Sequence, residues 1–361
     1  MTAAQETRTV SACDHCLRRT DLIAAIAGRL QVEFKQRSAP GRVLALPDED
    51  LLELAPGEAR VRYARFAPAA ARERIRAARL WAVCHCREEY PARLRDLADP
   101  PAVLHVLGSL TAQDEAIAVV GARRASSYGL EVATALGRGL SAARVPVISG
   151  LALGVDSAAH AGALQAPGQT IAVLAASAHV AYPARGRQLH AAVAARGAVV
   201  SEMPPGAEAH RWCFVARNRI IAALSAATVV VQATERSGSL TTADFAAEIG
   251  RAVGAVPGPV TTRLSAGTHG LIQTGAPLIR DAADALELLS GATGRDYAMA
   301  PPPPVALSAP LRRLLDAVEN DALSDLTPTP EQARAVLAGL GELERLGLVR
   351  RGFAGRWERK A

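Results

Sequence analysis

The 361-residue sequence predicts an α/β protein built on a parallel sheet with helices on both faces. Three observations predict it. Apolar, β-branched runs alternate with helical segments over residues 115–290, loops rich in small residues follow three of those runs, and a run of four prolines closes the pattern. The expected strands are Ile117–Val120, Pro146–Ser149, Thr170–Leu174, Ala198–Ser201, Thr228–Val231 and Val253–Val256. Periodic segments Tyr128–Ala143, Val155–Leu164, Gly186–Arg196, Asn218–Leu224 and Leu240–Gly250 separate them, and strand–helix–strand repetition of this kind builds parallel sheets. Ahead of the sheet, Asp21–Leu30, Asp48–Leu54 and Pro68–Leu80 read as helices, with Pro47-Asp48 as a helix start. Pro301–Pro304 cannot continue a helix and marks a stiff spacer. Beyond it, Ala309–Val318 and Glu331–Leu346 are amphipathic, and Leu348–Arg351 with Arg356–Glu358 reads as a hairpin. Helices followed by a short basic hairpin predict a winged helix.

Composition narrows the function classes. With 50% apolar and 21% charged residues the chain is globular, and at roughly 100–200 residues per domain it suits two or three domains. It lacks an apolar run of about 18 residues, and Met1–Val10 carries Glu6 and Arg8 in place of an apolar signal core. A cytoplasmic protein without a membrane anchor is expected. The 41 basic residues exceed the 35 acidic ones by six, yet only Lys35 and Lys360 are lysines. Neither sits in G-x-x-x-x-G-K-[ST], no strand lysine serves a kinase, and no G-x-G-x-x-G occurs, which excludes the usual ATPase, kinase and dehydrogenase patterns. Arg345, Arg350, Arg351, Arg356, Arg359 and Lys360 against Glu358 make a basic tip suited to an anionic contact or to solvation.

Three loops beyond strand ends carry the candidate chemistry, because ligands of parallel sheets bind outside the carboxyl ends of the strands. In Val120-Gly121-Ala122-Arg123-Arg124-Ala125-Ser126-Ser127, Gly121 permits a sharp turn, Ser126 or Ser127 caps a helix, and free amides beside Arg123 and Arg124 suit a phosphate. Ser149-Gly150-Leu151-Ala152-Leu153-Gly154-Val155-Asp156-Ser157 would form a backbone cradle, with Asp156 a helix-start residue and His160 a satisfied, half-buried histidine. Arg217-Asn218-Arg219, read as preceding an apolar helix at Ile220–Leu224, offers fork donors, and Ser237-Gly238-Ser239-Leu240-Thr241-Thr242 opens another helix. Three such loops on one sheet point to an extended polyanion or a nucleotide.

Catalytic patterns are thin. G-x-S-x-G and H-E-x-x-H are absent, the eight histidines do not cluster, and Glu202 and Asp244 stand as acids without a visible pair. Cys13-x-x-Cys16 has zinc-knuckle spacing, whereas Cys84-His85-Cys86 has a one-residue gap and is separated from Cys16 by 67 residues. The five cysteines, an odd number, argue against a disulfide framework. Reduced, buried thiols are expected at Cys13, Cys16, Cys84 and Cys86, with zinc as the alternative. No cofactor is expected.

These motifs, in order, resemble the DprA/Smf family of DNA-processing proteins. The resemblance is carried by Val120–Gly129, Ser149–His160, Thr170–Leu174 with Tyr182-Pro183, Ser201-Glu202, Arg217–Ala222, Ser237–Ala243 and Ala255–Gly258. It extends upstream through Tyr90–Leu94 and Pro100–Leu104. It implies a helical, SAM-like region over 1–100, a Rossmann-like single-stranded-DNA-binding domain over 101–295, a proline-rich linker over 296–306 and a winged helix over 307–361. It further implies a homodimer that protects incoming single strands and loads RecA recombinase onto them during natural transformation, with no enzymatic turnover. Arg123, Arg217 and Asn218 would hold phosphates, Ser157, Ser237, Gly238 and Ser239 would line the groove, and Gly121, Gly150 and Gly154 would allow close backbone approach. Arg124, Ser126, Arg219 and Thr242 join the same phosphate-binding set. Departures from the family pattern are Ala175-Ala176-Ser177 at usual glycines, Gln232 at a glutamate, Val215 at a proline and His269 at an asparagine. A neutral Gln232 would favour phosphate.

Trp212, Tyr128 and Tyr182 are candidate base-stacking rings, with core packing the alternative for most. Two other functions compete. A LOG-type nucleoside-monophosphate phosphoribohydrolase shares an α/β core but needs a carboxylate three residues after a threonine, where Thr242 is followed by Phe245. A winged-helix regulator would read duplex DNA with Glu331–Leu346, yet that segment holds Glu331, Glu342 and Glu344 against Arg334 and Arg345, a poor surface for a major groove.

Overall fold

The computed structural model describes residues 9–36, 43–110, 115–182, 184–297, 307–320, 322–326, 329–352 and 356–359. Its chain contacts separate two compact units, Met1–Ala300 and Pro301–Ala361. The proline run at 301–304, Pro183 and Lys360 lie outside the described residues.

Eight strands form one sheet in the first unit: β1 Trp81–Cys84, β2 Val103–Gly108, β3 Ile117–Val120, β4 Val147–Ser149, β5 Thr170–Val173, β6 Ala198–Ser201, β7 Ala227–Val230 and β8 Ala252–Ala255. Their order is β1-β2-β6-β5-β4-β3-β7-β8. All neighbours from β6 to β8 pair in parallel, while β1–β2 and β2–β6 are antiparallel. The six strands expected from β-branched runs therefore form within a residue of their predicted ends. The segment before residue 101 differs: read as helical, it also supplies β1, and β2 follows from residue 103. Trp81↔Val106 and Cys84↔Val103 set the register of that added edge.

The pleat sorts the strand side chains into two cores. Ala118 and Val120 face one, with Val173, Val200, Ile220 and Ile221, and Ile117 and Val119 face the other, with Leu136, Leu140, Leu286 and Leu289. Burial on both faces requires helices on both, namely α6 Ser127–Ala142, α7 Val155–Ala163, α8 Arg187–Arg196, α9 Arg211–Leu224, α10 Leu240–Glu248, α11 Ala266–Gln273 and α12 Ala282–Thr293.

Helices also precede the sheet, among them α1 Asp14–Ala25, α2 Ala27–Gln36, α3 Asp48–Glu53, α4 Gly57–Ala64 and α5 Pro68–Ala77. Leu22, Ile26, Leu30 and Leu51 pack with Trp212, Cys213 and Ala216 of α9, so this helical layer is continuous with the α/β core. Among the described residues no helix is long and apolar enough to cross a membrane.

The second unit holds helices α13 Ala309–Glu319 and α14 Pro330–Arg345 and an antiparallel hairpin of β9 Val349–Arg351 and β10 Trp357–Arg359. Leu314, Leu315, Val318, Leu340, Leu343 and Val349 form its core. The basic tip is largely self-compensated. Arg345, Arg350 and Arg359 face Glu342, Glu358 and Glu319, and the Arg351 guanidinium lies 5.1 Å from the Trp357 ring centroid.

Candidate nucleic-acid interface

The chain leaves β3 toward β4 on one side and returns to place β7 on the other. The loops after these three strands splay apart at this switch point, which is where open parallel sheets leave a crevice. A cavity of about 450 Å³ opens there. Gly121, Arg123 and Arg124 line it after β3, Ala152 and Asp156 after β4, and Ser237, Gly238, Ser239 and Thr242 after β7. Phe214, Arg217 and Asn218 of α9 complete it.

Helix α9 begins at Arg211, not after the Arg-Asn-Arg triplet, so those three residues lie mid-helix and point about 100° apart. That spacing separates their roles. Arg217 faces the cleft: its Nη1 donates to the carbonyls of Gly150 and Val173, and its Nη2 lies 4.0 Å from Asp156 Oδ2. Burial lowers the Arg217 pKa to about 10 against the opposing pull of Asp156. Asn218 lines the cavity but gives its amide hydrogens to Gly238 O and Thr241 Oγ1, at 2.9 and 2.7 Å, so it fastens the Ser-Gly-Ser loop.

Arg219 turns to the opposite side and is corrected as a site residue. It is 2% exposed, its Nε donates to Asp99 at 2.8 Å, and its Nη1 and Nη2 donate to Glu202 at 3.1 and 2.7 Å. A cation saturated by two buried carboxylates cannot hold a phosphate. Glu202, read as lacking a pair, has this one.

The glycines and small polar residues also act differently from expectation. A Cβ on Gly154, whose φ is +83°, would meet Ala122 O at 2.2 Å, and one on Gly150 would meet Arg217 Nη2 at 2.5 Å. One on Gly121 would meet Val155 Cγ2 at 2.8 Å. The close approach these glycines permit is within the protein itself: Gly154 seats the loop after β4 against the loop after β3, Gly150 admits the Arg217 side chain, and Gly121 admits Val155 at the start of α7. The expected cradle after β4 receives Asp156's own carboxylate, which accepts from the amides of Gly150 and Ala152 at 3.2 and 3.4 Å. Burial raises the Asp156 pKa. Ser157 lies off the cavity, donating to Ala152 O at 2.6 Å.

Ser126 caps α6 through Gly129 N and also accepts from Gln232 Nε2 at 2.8 Å, while Gln232 Oε1 accepts from Ser126 N at 3.0 Å. Gln232 thus positions the helix start and does not face a phosphate. His160 is fully rather than half buried, with Nδ1 2.6 Å from Thr170 Oγ1, and burial lowers its pKa to about 3.

Sequence reasoning missed Phe214. Its ring has the Arg123 guanidinium 5.2 Å and the Arg217 guanidinium 5.7 Å from its centroid, and the Tyr182 ring 5.5 Å away. Arg123, Arg124 and Tyr182 are exposed. Trp212, the neighbouring candidate, is instead buried, with Nε1 donating to Ala27 O. Tyr128 is 39% exposed, and its hydroxyl donates to Pro257 O. The signal for Phe214 was its place one turn before Arg217 on a helix that starts at Arg211.

The family model described as DNA recombination-mediator protein A matches residues 81–290, which includes all eight strands and every loop of the cleft. The chain belongs to that family. A DNA processing protein DprA of Mycobacterium tuberculosis is 44% identical over 201 residues, covering 55% of this chain and 52% of that one. The chain thus spans about half the length of that relative. The X-ray structure of DNA processing protein A from Streptococcus pneumoniae superposes with a TM-score of 0.61 at 31% identity, covering 76% of this chain and 95% of that one. A Helicobacter pylori DNA processing protein A, whose structure is described for its unique single-stranded DNA binding mode, gives 0.54 at 28%, covering 61% and 97%.

Proposed function

We propose that the cleft beyond β3, β4 and β7 binds single-stranded DNA without turnover. On this reading the protein protects incoming strands and loads RecA recombinase onto them in natural transformation, as a cytoplasmic homodimer. The observation that carries the proposal is the cluster around Phe214, a ring of the cavity lining, which has the exposed Arg123 guanidinium, the buried Arg217 guanidinium and the exposed Tyr182 ring around it. Guanidinium forks suit phosphates, and aromatic faces stack unpaired bases of any sequence. Arg123, Arg124 and Arg217 would meet the backbone, and Gly121, Ser237, Gly238, Ser239 and Thr242 would wall the groove. Gly238 is exposed, and a Cβ there would meet nothing within 4 Å, which leaves room for a sugar–phosphate chain beside it.

The name of the Helicobacter pylori relative's structure supports the same ligand. The non-enzymatic reading rests on the lining, where Asp156 is the one carboxylate among the described residues and is engaged with backbone amides and Arg217. The second unit is read as a winged helix with an auxiliary DNA- or partner-binding role. The test is fluorescence anisotropy of the full chain with labelled oligo-dT, competed by single- and double-stranded DNA. Preference for the single strand with steep salt dependence is expected. Equal competition by duplex would move the site to the second unit, and release of base from a nucleoside monophosphate would replace the proposal with the phosphoribohydrolase.

A further inference from the structure

Four of the five cysteines, separated in sequence, converge outside the cleft lining. Cys13 and Cys16 stand at the start of α1, and Cys84 and Cys86 at the end of β1 and in the turn after it. Their sulfurs all lie within 4.8 Å of one another, and Cys16 Sγ is 3.6 Å from Cys86 Sγ. All four are free thiols. Four thiolates around one zinc at about 2.3 Å occupy a tetrahedron whose sulfur–sulfur edges are about 3.8 Å, the scale found here. The space suits one ion and is too tight for a multi-iron cluster.

The expectation of buried thiols holds for Cys16 and Cys84. Cys13 is half-buried and Cys86 exposed, which leaves an entry path for an ion.

We propose that Cys13, Cys16, Cys84 and Cys86 bind one structural zinc ion that joins the N-terminal helical layer to the edge strand of the sheet. Several surrounding contacts are those of a built site. The Cys13 amide donates to Cys84 Sγ at 3.3 Å, the kind of backbone bond that supports a ligand thiolate. Cys13 is the N-cap residue of α1 and Cys16 lies in its first turn, where the helix dipole favours negative sulfur. Arg87 Nε donates to Ser11 O and Arg72 Nη2 to Ala12 O, which hold the segment before Cys13 against the β1 turn and α5. Arg95 donates to the carbonyls of His85 and Arg87 and so fixes the Cys84–Cys86 turn. His85 Nδ1, 3.7 Å from Cys16 Sγ, has the place of an outer partner. Four protein ligands leave no open position, the mark of a structural rather than catalytic zinc. Binding displaces the thiol protons, so the ion joins the two elements only when all four sulfurs are reduced.

The test uses the full-length protein, purified under reducing conditions without chelator, with metal content measured by plasma mass spectrometry. About one zinc per chain is expected. Cys16→Ser and Cys86→Ser should lower it at least about tenfold, whereas Cys213→Ser should leave it unchanged, because Cys213 packs in a separate apolar cluster. Should the ligand variants fail to fold, cobalt titration of the metal-stripped wild type decides. Thiolate-to-cobalt charge transfer with intense tetrahedral d–d bands supports the site. Zinc-free protein with no such spectrum, a mass showing a disulfide among these cysteines, or iron in place of zinc would each overturn it.

Discussion

Replacing Arg219 by alanine should destabilise the fold severely while leaving the chemistry of the cleft in place. The side chain is 2% exposed and makes four hydrogen bonds, to Asp99 at 2.8 Å, to Glu202 at 3.1 and 2.7 Å, and to Ala216 O at 3.0 Å. Its loss strands two buried carboxylates, and breaking a buried ion pair from one side costs about 3–5 kcal/mol. That is a large share of the roughly 5–15 kcal/mol that holds a domain folded. At about 2–4 °C per kcal/mol for a large domain, the melting temperature should fall by roughly 10 °C.

Urea denaturation followed by circular dichroism measures the cost directly. Burial already raises the Asp99 pKa with Arg219 present, so in the variant Asp99 should protonate more readily in the folded state than in the unfolded one. The deficit relative to wild type should therefore narrow as pH falls. Combining Arg219→Met with Asp99→Asn and Glu202→Gln should recover most of the loss. A cost below about 1 kcal/mol, or weakened oligo-dT binding at unchanged stability, would refute the assignment of Arg219 to a structural ion triplet.

Three further outcomes are expected. Gly154→Ala should lose about 1–3 kcal/mol or more in urea denaturation, because it forces a side chain into φ +83° with its Cβ 2.2 Å from Ala122 O; an unchanged midpoint would contradict the seating of the loop after β4 against the loop after β3. Phe214→Ala should weaken oligo-dT binding by about 1–3 kcal/mol, and equal affinity in anisotropy would remove the stacking role. Stability should also fall with acid. Burial holds His105 at about 4 and His160 at about 3, against 6.5 for the free group. Below 6.5 the unfolded chain takes up protons that these two side chains refuse until the pH falls through their folded values. Each then removes up to about 1.4 kcal/mol per pH unit across that window, and urea midpoints that stay flat from neutral pH into it would count against their buried, neutral state.

The parallel sheet was legible because each of its strands is a short apolar run bounded by turn residues, and the three cleft loops because glycine and serine mark strand-to-helix turns. The two antiparallel strands β1 and β2 were not. Trp81–Cys84 is only four residues long, and Val103–Gly108 places His105 at its centre, where burial is complete. Each acquires strand form through pairing with a partner distant in sequence. Arg219 could not be told from Arg217 without the true start of α9, because one or two residues of helix turn a side chain from cleft to core. Its partners Asp99 and Glu202 lie 120 and 17 residues away. The sulfur cluster depends on the same long-range pairing, since β1 must dock beside α1 before Cys84 and Cys86 can meet Cys13 and Cys16.

The measurement that bears most directly on the cleft is the salt dependence of oligo-dT affinity for the wild type and for Arg123→Ala. Arg123 is exposed and leans on Phe214 without bracing a loop, so its removal should leave stability unchanged. The account predicts weaker binding and a slope of log K against log salt shallower by about 0.7, the release of one phosphate's counterions from a single strand. Identical affinity and slope in the two proteins would contradict the assignment of this cleft to single-stranded DNA.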